Sequence, residues 1–320
     1  MILTAGGRYR PSVHIEQSWT RLAVILAVAI GAGMGAVTGA GSAAHATSVT
    51  KPSSSAVTTT SQTLVDTTRQ RTLETMFFSP RRSTGPAPLL VFVHGYDQSP
   101  SDYRNLLKAW ASAGYVVAAP KFPSTNRDAA SLDASDYHNE PMDVSFVISQ
   151  VIAQSAASTG PLSGRVDATR VGVAGHSLGA EVVLGLLNQC CRDPRVRAAI
   201  SLAGSEQFNP GEPAFPPSGY FVGPPVPLLL VHGDADHENP YDRSVTAFAG
   251  ASPPKFFETI HGGDHRLPYQ DSLNHPGAHA VSTVTVDFLD SYLKDQPAAL
   301  SRLARDGTIP NVATLQAVPS

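Results

Sequence analysis

A series of short apolar runs, with helix-patterned stretches between them, constrains this chain more than any other feature. The runs lie at 72–78, 89–93, 115–119, 171–174, 198–202, 228–231 and 256–260, and several, such as LLVFV at 89–93 and LLLV at 228–231, hold no polar residue. A strand with one face in water alternates apolar and polar side chains. Runs apolar throughout suit strands buried on both faces, which is the condition of a parallel sheet covered on each side. The stretches between them carry helix signals. Ser99 is placed to cap a helix with Pro100 in its first position and Asp102 in its third, and Tyr103, Leu106, Leu107, Trp110 and Ala113 share one face. Val144, Val147, Ile148, Val151 and Ile152 repeat that spacing, and Val281, Val284, Phe288 and Leu289 begin a third apolar face. The expected architecture is an α/β fold, a mainly parallel central sheet with helices on both faces. Ligands of such sheets bind at the carboxyl ends of the strands.

The ends of the chain read differently from its middle. Arg8, Arg10 and Arg21 precede an apolar stretch from Leu22 to about Val37, and small residues follow as far as Ala44, His45 and Ala46. That order is a secretory signal with cleavage expected after Ala46, and a secreted protein is the expectation. The competing reading, an uncleaved anchor, asks a short Gly-rich core to span a bilayer. No stable membrane span is expected in the mature form. Residues 47–63, rich in Ser and Thr, read as a solvated linker, 64–307 as the folded domain and 308–320 as a tail. At 42% hydrophobic and 15% charged, the chain can bury one core of roughly 250 residues. The formal net charge of −3 becomes −5 once Arg8, Arg10, Arg21 and Glu16 are removed, so nucleic acid is not an expected partner and a neutral small-molecule or lipid ester is. Oligomeric state is not legible. The two cysteines, Cys190 and Cys191, are neighbours; they read either as a ring joining adjacent residues in an oxidising compartment or as two small residues near a helix end.

The chemistry is concentrated in one segment, VGVAGHSLGAE at 171–181, which is a strand, a G-x-S-x-G pentapeptide and the start of a helix. In such an elbow the serine occupies a tight turn and the two glycines let strand and helix approach without a Cβ collision. The pentapeptide alone is weak; its flanking strand and helix make it specific. A serine hydroxyl needs a histidine to take its proton and a carboxylate to hold that histidine, and in this fold the chain order is serine, acid, histidine. HGDAD at 232–236 follows one expected strand and HGGDH at 261–265 the next. Asp236 is preferred to Asp234, which lies close enough to the strand end to serve a turn. His265 is preferred to His261, which abuts its strand, while the two glycines present His265 from a loop. His275 and His279 stand as distant alternatives, read as surface residues. The oxyanion formed when Ser177 attacks a carbonyl needs donors, expected to be the N–H of Leu178 and that of Tyr96 after the strand at 89–93. No metal and no cofactor is expected: H-E-x-x-H is absent and the glycines at 262 and 263 break the helix that a His261/His265 ligand pair would need.

His94-Gly95-Tyr96, the pentapeptide, His232-Gly233-Asp234-Ala235-Asp236 and Gly263-Asp264-His265 together resemble the dienelactone-hydrolase and chlorophyllase-like branch of the α/β hydrolases, over roughly 73–303. Platelet-activating-factor acetylhydrolases and secreted polyester hydrolases look like neighbouring relatives. The resemblance implies the α/β-hydrolase fold and a triad of Ser177, Asp236 and His265. Three features depart from those groups: the nucleophile position holds Ser where dienelactone hydrolases carry Cys, Ala203-Gly204 stands where polyester hydrolases place a Trp, and Ala180 replaces a frequent Gly. The expected activity is hydrolysis of a short or medium acyl carboxylic ester through an acyl-enzyme. The alternatives are acyl transfer to envelope lipids, polyester or phospholipid-acetyl hydrolysis, and a binding protein that has lost catalysis. The insertion at 206–223 is expected to form pocket walls.

Overall fold

A computed structural model describes residues 56–205, 207–209, 212–213, 215, 221, 223–270 and 275–319. The expected signal at 1–46 lies outside these residues, as do the first part of the linker and much of the 206–223 insertion.

The strands are β1 (Val57–Asp66), β2 (Arg71–Pro80), β3 (Ala87–Val93), β4 (Val116–Pro120), β5 (Val166–His176), β6 (Val196–Leu202), β7 (Gln207–Asn209), β8 (Glu212–Pro213), β9 (Leu228–Gly233), β10 (Lys255–Ile260) and β11 (Ala313–Val318). The helices are α1 (Arg104–Ser112), α2 (Glu140–Ala156), α3 (Leu178–Gly185), α4 (Tyr241–Gly250), α5 (Pro276–Leu293) and α6 (Pro297–Asp306). Each of the seven expected strands forms. Together with β1 and β11 they make one sheet in the order β1-β2-β4-β3-β5-β6-β9-β10-β11. Its centre, from β4 through β10, is parallel; the β1–β2, β2–β4 and β10–β11 pairs at its margins are antiparallel. This is the α/β-hydrolase fold.

β3 shows why the central runs are apolar throughout. Leu89, Val91 and Val93 pack into one layer with Val144 and Val147 of α2, Val182 of α3 and Ala247 of α4. Leu90 and Phe92 pack into the other with Leu106 and Trp110 of α1, Val281 and Phe288 of α5 and Leu303 of α6. Each such side chain, fully buried, contributes about 1.5–3 kcal/mol, so a polar residue on either face would be costly. The Ser99 start signal also holds: the Ser99 N–H donates to Asp102 Oδ2 at 2.9 Å, ahead of a 3-10 turn that leads into α1.

Both expected boundaries of the domain move outward. Residues 57–63 of the expected linker belong to β1, which pairs with β2 from Val57 opposite Pro80 to Asp66 opposite Arg71. Within the expected 308–320 tail, β11 pairs with β10 from Ala313 opposite Ile260 to Val318 opposite Lys255. Both are edge strands whose attachment is mainly backbone hydrogen bonding. Their side chains are largely exposed, so composition did not mark them, although the β-branched threonines of β1 suit a strand. Cys190 and Cys191 are joined as a disulfide, so the ring is the reading that holds. In the insertion, Phe215 is buried against Gly185 at the end of α3, and its carbonyl accepts from Asn188 Nδ2 at 3.0 Å.

Among the described residues of the central strands several buried positions break the apolar rule, and Glu258 is the acidic one. Glu258 of β10 is 0% exposed between Val231 of β9 and Leu315 of β11, and neither carboxyl oxygen has a hydrogen-bond partner. Burial pushes its pKa up to about 8 from an ordinary 4.5, so the folded state holds this proton more tightly than the unfolded chain does. The stabilising contribution of the protonated acid is therefore full below pH 4.5 and is lost as pH rises to about 8. Glu258→Gln cannot ionise. Its stability relative to the native protein should rise between pH 5 and pH 8 by more than about 1 kcal/mol in urea melts, and a pH-independent difference would refute the assignment.

Candidate active site

β5 ends at His176, α3 begins at Leu178, and Ser177 forms the turn between them with φ 55° and ψ −125°. A residue with a Cβ pays about 1–3 kcal/mol for such backbone unless its surroundings hold it. Here the Ser177 N–H donates to the Leu202 carbonyl of β6 at 2.9 Å, and the Ser177 carbonyl accepts from the N–H of Ala180 at 2.8 Å and of Glu181 at 3.2 Å. The two glycines of the pentapeptide are needed for contact rather than for flexibility. A Cβ on Gly175 would lie 2.2 Å from the Gly179 carbonyl oxygen, and one on Gly179 would lie 2.3 Å from that of Val93. The Ala180 methyl is accommodated by Gly204, whose own Cβ would sit 2.3 Å from it.

The structure brings Ser177, His265 and Asp236 together. His265 Nε2 lies 2.8 Å from Ser177 Oγ, and His265 Nδ1 lies 2.7 Å from Asp236 Oδ2. Since the carboxylate only accepts, Nδ1 carries the proton and Nε2 is left to accept from the serine hydroxyl. Burial pushes the Asp236 carboxyl up, but donors from His232, His265 and the Asn239 N–H outweigh it and hold the group well below the usual carboxylate range. Asp236 is thus an ionised group in a largely dry place. Its Oδ1 accepts from the N–H groups of Glu238 and Asn239, at 2.9 and 2.8 Å.

The competing residues are occupied with one another. His261 Nδ1 lies 2.9 Å from Asp234 Oδ2, and Asp234 Oδ1 accepts from the Gly262 N–H, the turn-forming use expected of it. His275 caps α5 by accepting from the Gly277 N–H, and His279 lies in α5 beside Thr283. Tyr96 and Leu178 both line the cleft that holds Ser177. Leu178 is the first residue of α3, so its N–H is among the helix-initial donors without an intrahelical acceptor. The loop bearing Tyr96 comes close to the serine: a Cβ on the preceding Gly95 would be 3.2 Å from Ser177 Cβ.

Two histidines whose roles the sequence did not disclose support the arrangement. His232 Nε2 lies 3.0 Å from Asp236 Oδ2, the oxygen that also meets His265, while its Nδ1 lies 2.6 Å from Ser244 Oγ. His176 Nε2–H donates to the His265 carbonyl at 2.7 Å, and its Nδ1 lies 2.8 Å from the Tyr103 hydroxyl. Burial drives the His176 pKa well down, which keeps a positive charge away from His265. The only sequence sign of either was a histidine closing an apolar strand. The cleft over Ser177 has a volume of about 400 Å³ and includes Gln98, Glu181, Glu238, Asn239, Arg243 and Arg266 in its walls. Among the described residues no helix is long and apolar enough to cross a membrane.

The family model described as Chlorophyllase, a family of the α/β-hydrolase type, matches residues 46–201. That span holds Tyr96, Ser177 and Leu178 and stops before Asp236 and His265. Two curated relatives carry the name Uncharacterized protein YfhR. The one from Escherichia coli O157:H7 is 26% identical over 130 residues, 37% of this chain and 46% of its own, and the one from Escherichia coli (strain K12) is 26% identical over 155 residues, 45% and 53%. The chain spans about half the length of the curated relatives it matches.

The close approach at the elbow makes a measurable claim. Gly179→Ala forces a methyl into backbone carbonyls that cannot swing away and should cost about 1–3 kcal/mol or more in urea unfolding. Gly262→Ala, whose φ is +67° in open space, should cost only about 1 kcal/mol. Equal losses would show that the elbow is not closely packed.

Proposed function

We propose that the chain is an exported serine hydrolase of the α/β-hydrolase type that cleaves small carboxylic esters of short or medium acyl chain. The observation that carries this reading is the Ser177–His265–Asp236 chain of contacts at 2.8 and 2.7 Å. The Chlorophyllase match supports a hydrolase acting on esters. In the proposed cycle Ser177 Oγ attacks the ester carbonyl carbon as its proton passes to His265 Nε2. Charge develops on the former carbonyl oxygen, where the N–H groups of Leu178 and Tyr96 would receive it. Asp236 stabilises the imidazolium and keeps its ring oriented, without itself taking the proton. Collapse breaks the bond to the leaving alcohol, which takes the proton from His265 and leaves Ser177 acylated. Water then attacks the acyl group with His265 again as base, releasing the acid and restoring the serine. Export rests on the basic, apolar and small-residue order of 1–46 and would leave a mature chain beginning at Thr47.

Hydrolysis of p-nitrophenyl acetate, butyrate and octanoate tests the reading. Ser177→Ala should lower kcat by about a thousandfold or more, and Asp236→Asn by a similar order. Asp234→Asn and His261→Ala, which alter the neighbouring exposed pair, should stay within about threefold of the native rate. Unaltered turnover in Ser177→Ala would sink the assignment, and a loss in Asp234→Asn as deep as in Asp236→Asn would overturn the choice of acid.

A further inference from the structure

Glu181 lies one helical turn beyond Ser177 in α3, with its N–H donating to the Ser177 carbonyl, and both side chains line the same cleft. Glu181 is 6% exposed, and its Oε2 has no hydrogen-bond partner. Asn239, in the wall of that cleft, is 8% exposed; its Nδ2 donates to the Ala203 carbonyl at 2.8 Å, and its Oδ1 is also without a partner. A buried polar atom left unpaired costs about 1–3 kcal/mol. Two of the seven such atoms among the described residues lie in one cleft with a nucleophile, which marks a place where a ligand supplies the missing bonds. The ester carbonyl itself is not that ligand, because in the proposed reaction it faces the N–H donors of Leu178 and Tyr96.

The chemistry of the pair narrows the class. Asn239 Oδ1 only accepts. Burial pushes the Glu181 carboxyl well above its ordinary pKa, with Arg243 opposing the shift, which favours the neutral acid, a form that can both donate and accept. A hydroxyl group matches both sites, since it has one proton to give and two lone pairs. A fatty chain satisfies neither, and an ammonium group would meet the Arg243 guanidinium in the same cleft. The walls also carry Asp97, Gln98, Glu238 and Arg266 beside the apolar Tyr96, Leu178 and Ala134, so polar groups are available to a substrate that an alkyl chain alone leaves unused.

We propose that Glu181 and Asn239 form a polar subsite beside Ser177 that selects esters bearing a hydroxyl group near the scissile bond, making the substrate a short hydroxylated ester rather than a plain alkyl or lipid one. This rests on Ser177 being the nucleophile. The hydroxyl could belong to the acyl or to the alcohol part, and matched pairs of substrates separate the two: ethyl 3-hydroxybutyrate against ethyl butyrate, and 2,3-dihydroxypropyl butyrate against propyl butyrate. With the purified full-length protein, kcat/KM should be roughly tenfold higher for the hydroxylated member of at least one pair, the size expected of one or two buried hydrogen bonds. The pair that shows the preference identifies the side. Glu181→Met should bring that ratio to within about threefold of one, while Glu181→Gln, still able to donate and accept, should keep part of it. Parity in the native enzyme with Ser177-dependent turnover intact overturns the subsite without any variant, as does a preference that survives Glu181→Met. Absence of Ser177-dependent turnover of every ester would overturn the nucleophile assignment beneath it, a result distinct from parity.

Discussion

The approach of α3 to the ends of β3 and β5 is the contact on which the rest of this structure depends. Gly179 sits so close to the carbonyls of Val93 and His94 that even a methyl is excluded. That distance pulls the first turn of α3 down onto the sheet and forces Ser177 into positive φ, where its Oγ stands clear of both elements. It also brings Gly95 within Cβ distance of Ser177, so the loop after β3 and the start of α3 border one cleft. The backbone conformation of Ser177 is unfavourable by itself. It persists because the Leu202 carbonyl of β6 holds its N–H, and because the apolar layers on both faces of β3, β5 and β6 leave these strands no other register.

Much of the fold could be read because burial on two faces writes a strong signal. A strand such as β3 or β9 has no polar position to spare, and the run announces itself. The edges could not be read in the same way. β1 and β11 are held by ladder hydrogen bonds, to which side-chain identity contributes little, so a Ser/Thr run passed for a linker and a short polar segment for a tail. The site divides along a similar line. Ser177, Asp236 and His265 stand in short motifs whose chain order is a topological consequence of the fold, and the structure places them in contact. His176, His232 and Glu181 lie in those same motifs, yet the surroundings that define each are set by tertiary packing: the His265 carbonyl for His176, Ser244 of α4 for His232, and an unpaired Oε2 for Glu181. Spacing carries no trace of such contacts.

The loops after β9 and β10 show how neighbouring strands can set a carboxylate and an imidazole at hydrogen-bonding distance. Gly233 and Gly263 pass so closely that a Cβ on the first would lie 2.1 Å from the carbonyl oxygen of the second, and the Ala235 N–H donates to that same carbonyl at 3.0 Å. Asp234 adds a stitch at the rim through the Gly262 N–H and His261, and Arg266 closes the outside by pairing with Glu238. The exposed Asp234–His261 pair, which mimics the buried one in composition, stays at the rim, while the Gly233–Gly263 approach and the Ala235 N–H bond set the buried pair's separation.

Within that scaffold Asp236 has every acceptor position spoken for. Oδ1 takes two backbone N–H groups from its own turn, and Oδ2 takes one nitrogen from each of two imidazoles. A carboxylate so satisfied gains little by turning, and rotation about its terminal bond would trade four charge-assisted hydrogen bonds for none. His265 is constrained from the other side by His176, which holds its carbonyl while remaining uncharged. The imidazole that faces Ser177 is thus fixed at its ring by Asp236, in the loop after β9, and at its backbone by His176, in β5, and both are buried. Precision at the hydroxyl follows from this layering: the exposed loops can vary in sequence and motion while the three atoms that must meet are held by groups with no freedom of their own.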